Sequence, residues 1–113
     1  MNQASESSLI DGVPDTASRQ ILQAIQTCSS VQRVVLYGSR ALGRYRAGSD
    51  IDLCLEAPGL TLGQLLELGG VLDDLLLPWR VDLQLRPLID PPTLLAHIDR
   101  AGVELWRRAV PIA

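Results

Sequence analysis

Residues 36–53 read LYGSRALGRYRAGSDIDL, and this stretch decides the fold. Upstream, Arg33 to Tyr37 forms an apolar run that predicts a β-strand. Gly38-Ser39 breaks it, a loop carrying Arg40, Arg44 and Arg46 follows, and a second strand opens with Asp50-Ile51-Asp52-Leu53. Ten residues separate Ser39 from Asp50. A lone glycine-serine turn says little, and a lone Asp-x-Asp on a strand is usually solvated surface. A strand, a glycine-serine turn, a fixed gap and paired carboxylates at the next strand's start form a more specific pattern. It suits a site holding phosphate and a cation together.

In the second strand, Asp50 to Glu56, Ile51, Leu53 and Leu55 face one way and Asp50, Asp52, Cys54 and Glu56 the other. A leucine-rich helix is expected over 61–77, capped by Thr61, with Gly69-Gly70 pointing either to a bend or to close packing on the sheet. Pro78 stops it. The third strand, Arg80 to Arg86, repeats the alternation: Val81, Leu83 and Leu85 against Arg80, Asp82, Gln84 and Arg86. Before this core, Ala17, Ile21, Ala24, Ile25 and Cys28 recur at helical spacing after Pro14-Asp15. Beyond it, Pro91-Pro92 opens a helix to about Ala101, and 103–106 is a short extended piece. The order α-β-β-α-β-α predicts an α+β domain. A mixed sheet would carry its helices on one face and Asp50, Asp52 and Asp82 on the open one.

Asp50 and Asp52, two positions apart on one strand, would stand roughly 6–7 Å apart on the same face. Carboxylates so placed suit magnesium, which takes one or two of them and completes its shell with water and substrate phosphate. A third from Asp82 would allow two ions, about 3.5–4 Å apart, for an in-line displacement. Gly38 lets phosphate approach the backbone and Ser39 adds a hydroxyl. Arg40, Arg44 or Arg46 would balance charge on a triphosphate.

Composition narrows the alternatives. The chain has 113 residues, 47% of them hydrophobic, and a net charge of -3. That predicts one domain, residues 14–113, behind a flexible segment 1–13. The acidic balance argues against duplex DNA binding. No run of ~18 apolar residues predicts a membrane span, and no signal peptide is evident, so a cytoplasmic protein with reduced Cys28 and Cys54 is expected. All ten basic residues are arginine. Without lysine, P-loop, Schiff-base and lysyl-nucleotide chemistry are excluded.

These residues, with VDLQL at 81–85, resemble the GS-x10-DxD signature of the DNA polymerase β-like nucleotidyltransferases over roughly residues 18–106. The small size resembles the minimal nucleotidyltransferases, antitoxins that in HEPN–MNT pairs transfer AMP from ATP to a tyrosine of a HEPN ribonuclease. The resemblance implies that Gly38 and Ser39 hold the triphosphate, with Arg40 beside them. It implies that Asp50 and Asp52 ligate both magnesium ions, and that Asp82 ligates one and helps deprotonate the acceptor hydroxyl. It also implies a HEPN toxin as partner in a hetero-oligomer, which would present the acceptor. Leu42 departs from the family pattern, standing where many members carry a second arginine. The competing reading is a non-catalytic antitoxin that neutralises its partner by occlusion. His97, Trp79 and Trp106 read as structural or surface residues, and Tyr45 as a loop aromatic able to stack on a base.

Overall fold

The alternating stretch after Ser49 forms β2 (Ile51–Glu56), with Ile51, Leu53 and Leu55 fully buried. The computed structural model describes residues 9–109 of the chain. β1 (Arg33–Tyr37) runs antiparallel to β2, and β3 (Val81–Leu85) lies parallel on its other side. β4 (Val103–Arg107) pairs antiparallel with β1, giving the order β3-β2-β1-β4. The sheet is mixed, and the architecture is α+β as the residue pattern predicts.

α1 (Asp15–Gln26) and α3 (Leu62–Asp73) cover one face. Ile21, Leu22 and Ile25 of α1 and Leu65, Leu68 and Leu72 of α3 join Val34, Leu36, Ile51, Leu53, Leu55 and Leu85 in the main core. Each such fully buried aliphatic side chain contributes about 1.5–3 kcal/mol. Thr61 caps α3 through a reciprocal box with Gln64. The helix runs unbroken through Gly69-Gly70 and ends at Asp73, four residues short of the expected end; Leu76 then takes a positive φ of 54°. A side chain at Gly69 or Gly70 would meet no neighbour, so close packing on the sheet does not explain them. They line a groove of about 320 Å³ between α3 and β3, with Asp82 on its other wall.

One expectation is corrected. The helices do not all share a face: α4 (Pro92–Ala101) lies across the other one, where Ile98, Leu94, Leu95 and Ile89 pack on Val35, Tyr37 and Cys54. The reason is legible in β1. Its Val34-Val35-Leu36-Tyr37 run has no polar alternate, so both faces of this strand need cover. α4 supplies it over Val35, Tyr37 and Cys54, leaving Asp52 and Asp82 only partly buried on that face.

The expected flexible segment 1–13 falls partly outside the described residues. Within them, Ile10 and Val13 are buried in the main core, so packing begins before residue 14. At the far end, Arg108 donates to the carbonyls of Val31, Gln26 and Cys28, tying the chain after β4 to the exit of α1. Its guanidinium lies over Trp106, 4.9 Å from the ring centre. Among the described residues no helix is long and apolar enough to cross a membrane.

Candidate active site

The register of the sheet sets the site. Tyr37 on β1 is the partner of Asp52 on β2, and Asp52 is the partner of Asp82 on β3. A phenol and two carboxylates therefore stand in one row across three strands, on the face that α4 only partly covers. Asp50 immediately precedes β2 and is exposed. Asp52 and Asp82 are half-buried.

The row is electrostatically uncomfortable. Burial raises the Asp52 carboxyl above its ordinary range, Asp82 and Asp50 raise it further, and Arg80 only partly offsets them. Burial, then Asp52 and Asp82, likewise push the Tyr37 phenol well above its usual range, so it stays neutral. Among the described residues no three His, Cys, Asp or Glu side chains converge tightly enough to hold an ion by themselves. The donor set nevertheless fits a hard cation that draws the rest of its shell from water and a triphosphate. It consists of carboxylate oxygens only, with repulsion that a positive ion would relieve.

Gly38 lies against Asp52. Its φ of 78° and ψ of −155° fall in a region open essentially to glycine, and a methyl group there would overlap the Asp52 carboxylate. Ser39 opens the short helix α2 (Ser39–Leu42), so its backbone N–H is one that a helix start leaves free. Gly38→Ala is expected to lower stability by about 1–3 kcal/mol, read from a urea midpoint. Displacing Asp52 should also lower transfer by about 10²-fold.

The structure reassigns Arg40. It was expected beside the triphosphate, yet it is only 2% exposed, the largest fully buried side chain among the described residues. Nε donates to the Ser49 carbonyl at 3.2 Å, and Nη1 to the Asp11 carbonyl at 2.8 Å. Nη2 donates to Ala47 and Ser49 at 3.2 and 2.9 Å. The Arg40 guanidinium lies over Tyr45, 4.7 Å from its ring centre, and the same ring leaves no room for a side chain at Gly12. Three loop carbonyls at an inner bend need a planar donor fork, and this arginine supplies it. Trp79 donates to Ala47 as well, at 3.0 Å. Arg40, Tyr45 and Trp79 together fix the loop that delivers Asp50, so Tyr45 is not free to stack on a base. Arg44 and Arg46 remain exposed, as does Leu42.

His97 is the residue whose role the sequence hid. From α4 its Nε2 accepts the Gly38 N–H at 3.0 Å, across 59 positions. Its ring stands edge-on to Tyr37 with centres 6.3 Å apart.

The family model of the nucleotidyltransferase domain matches residues 18–100. Three solved structures are similar. A toxin–antitoxin with AMP-PNP is 25% identical, with a TM-score of 0.67 over 80% of this chain and 73% of that one. A tri-AMPylated Shewanella oneidensis HEPN toxin in complex with its MNT antitoxin gives 22% identity and a TM-score of 0.64, covering 83% and 72%. The toxin–antitoxin MntA-HepT gives 22% and 0.64, covering 84% and 74%. No curated protein matches the chain in sequence.

Proposed function

The chain belongs to the nucleotidyltransferase domain family, and from that premise we propose that it transfers AMP from ATP to a tyrosine hydroxyl of a HEPN-type toxin, acting as its antitoxin. The observation that carries the chemistry is the register of Asp52 with Asp82 beside the Gly38-Ser39 turn. The likeness to a toxin–antitoxin with AMP-PNP and to an MNT antitoxin bound to a tri-AMPylated HEPN toxin supports the nucleotide and the partner. The domain itself we take as residues 14–113 with the packed residues just before it.

Asp50, Asp52 and Asp82 would hold two magnesium ions, which when bound neutralise the triphosphate and make the acceptor hydroxyl easier to deprotonate. Gly38 would bring backbone close to the phosphates with no Cβ in the way, and Ser39, at the start of α2, would add its hydroxyl and N–H. The acceptor oxygen forms its bond to the α-phosphorus as the bond to the bridging oxygen breaks, and pyrophosphate leaves. Asp82, on an edge strand and in register with Asp52, would take the acceptor's proton. Of the arginines between the Gly38-Ser39 turn and Asp50, the exposed Arg44 and Arg46 are left to meet the leaving phosphates, with Leu42 supplying no charge beside them.

The test is incubation of the protein with ATP labelled at the α-phosphate, magnesium and the helical product of the adjacent gene. Label should move to that partner and be lost on chelation of magnesium. If Asp50→Asn and Asp52→Asn neutralise the partner in full and the wild type moves no label, the occlusion reading replaces this one.

A further inference from the structure

The protein contains one histidine, and it is spent on a backbone amide of the candidate site. Gly38 sits just beyond the last β1–β2 pair, Tyr37 with Asp52, so its N–H has left the ladder. A backbone donor withdrawn from the ladder and partly from water needs a partner, and the His97 Nε2 provides it at 3.0 Å. Because Nε2 accepts, the ring carries its proton on Nδ1. The imidazole is held by α4, whose Ile98 is buried against Val35 and Tyr37, and by its edge contact with Tyr37. Gly38 in turn touches the Asp52 carboxylate so closely that no side chain fits between them. One rigid path thus runs from α4 through His97 to the turn, and from the turn to the carboxylate row.

We propose that His97 is a positioning residue for nucleotidyl transfer, setting the Gly38-Ser39 turn at its working distance from Asp52 by accepting the Gly38 N–H. This rests on the reading of the site given above. A glycine in an open region of backbone space has several conformations within reach, and one directed hydrogen bond selects among them. Without it, the carboxylates keep their strand positions while the turn drifts relative to them. The loss should therefore fall on the transfer step more than on the fold, since misplacement by about 1 Å can cost 10²-fold in rate.

The experiment compares wild type, His97→Leu and His97→Gln, whose side-chain oxygen can accept the same N–H. Three quantities are read: the thermal midpoint, affinity for magnesium–ATP, and the single-turnover rate of label transfer at saturating ATP. The Gly38 amide resonance is followed in parallel. His97→Leu should transfer about 10- to 100-fold more slowly with a smaller change in ATP affinity, and its Gly38 amide proton should move upfield. His97→Gln should recover the rate to within about threefold, with the amide close to its wild-type position. Equal impairment of both variants would mean that the ring only packs, and a wild-type rate in His97→Leu would overturn the proposal outright. Should the wild type itself move no label, the transfer reading fails separately. The proposal then stands or falls on whether His97→Leu, and not His97→Gln, shifts the Gly38 amide and weakens magnesium–ATP binding.

Discussion

Replacing Asp52 by asparagine is expected to abolish transfer while making the folded protein more stable. The rate should fall by about 10³-fold or more, because the substitution removes one of the carboxylates proposed to hold magnesium, the one lying against Gly38. The gain in stability follows from the shifted carboxyl. Burial, Asp82 and Asp50 all disfavour the ionised form in the folded chain. A carboxyl whose folded value lies above its unfolded one weakens the fold at every pH above the folded value. That penalty fades as pH falls toward the ordinary aspartate range near 4. Without magnesium, Asp52→Asn should thus melt a few degrees above wild type at neutral pH, and the two should converge on acidification. With magnesium–ATP the order should reverse, since only the wild type gains the ligand's stabilisation. A variant that melts lower than wild type without magnesium would contradict the account of a strained carboxylate row.

The second large effect falls on Arg40 and is one of stability. Arg40→Met should destabilise the fold by about 3–5 kcal/mol, measured by urea denaturation, because the Asp11 and Ser49 carbonyls lose their donor and Ala47 keeps only Trp79. Arg40→Lys should recover little of this. An ammonium keeps the charge, yet it cannot span three carbonyls or lie flat on Tyr45. A residue binding triphosphate would behave differently: lysine would preserve the fold, and the deficit would appear only in ATP affinity. That outcome would return Arg40 to the substrate.

The contrast between these two residues shows which features of the site can be read along a chain. Period-two patterning placed Asp52 and Asp82 on one face because each belongs to a strand whose alternate residues are leucine, isoleucine or valine, and their pairing in the sheet follows. Arg40 has no such marker. It stands in the short α2, just before two exposed loop arginines, and only the carbonyls of Ala47 and Ser49 that meet it distinguish it. His97 hid for a related reason. Its partner is a backbone amide on a distant strand end, and backbone amides leave no trace in residue identity. The position of α4 was legible in hindsight: a strand reading Val34-Val35-Leu36-Tyr37 demands cover on both sides. Gly69-Gly70 in α3 were visible as an anomaly, but their meaning depended on the open groove beside β3.

Asp82 belongs to the last strand at one margin of the sheet, joined to its neighbour by parallel pairing and backed by an incompletely buried helix. The hairpin-like unit of β1 and β2 can assemble from nearby residues, whereas β3 must be brought back by the crossover through α3. Marginal strands are the first to exchange their amide hydrogens, by openings that cost less than global unfolding. Peeling β3 away would leave the turn and the first two carboxylates standing while withdrawing the third. On the proposed reading, catalytic competence in this small domain is tied to a strand at the edge of its sheet. Whatever clamps that margin, a bound nucleotide or a docked partner, completes the enzyme at the same moment as it rigidifies the fold.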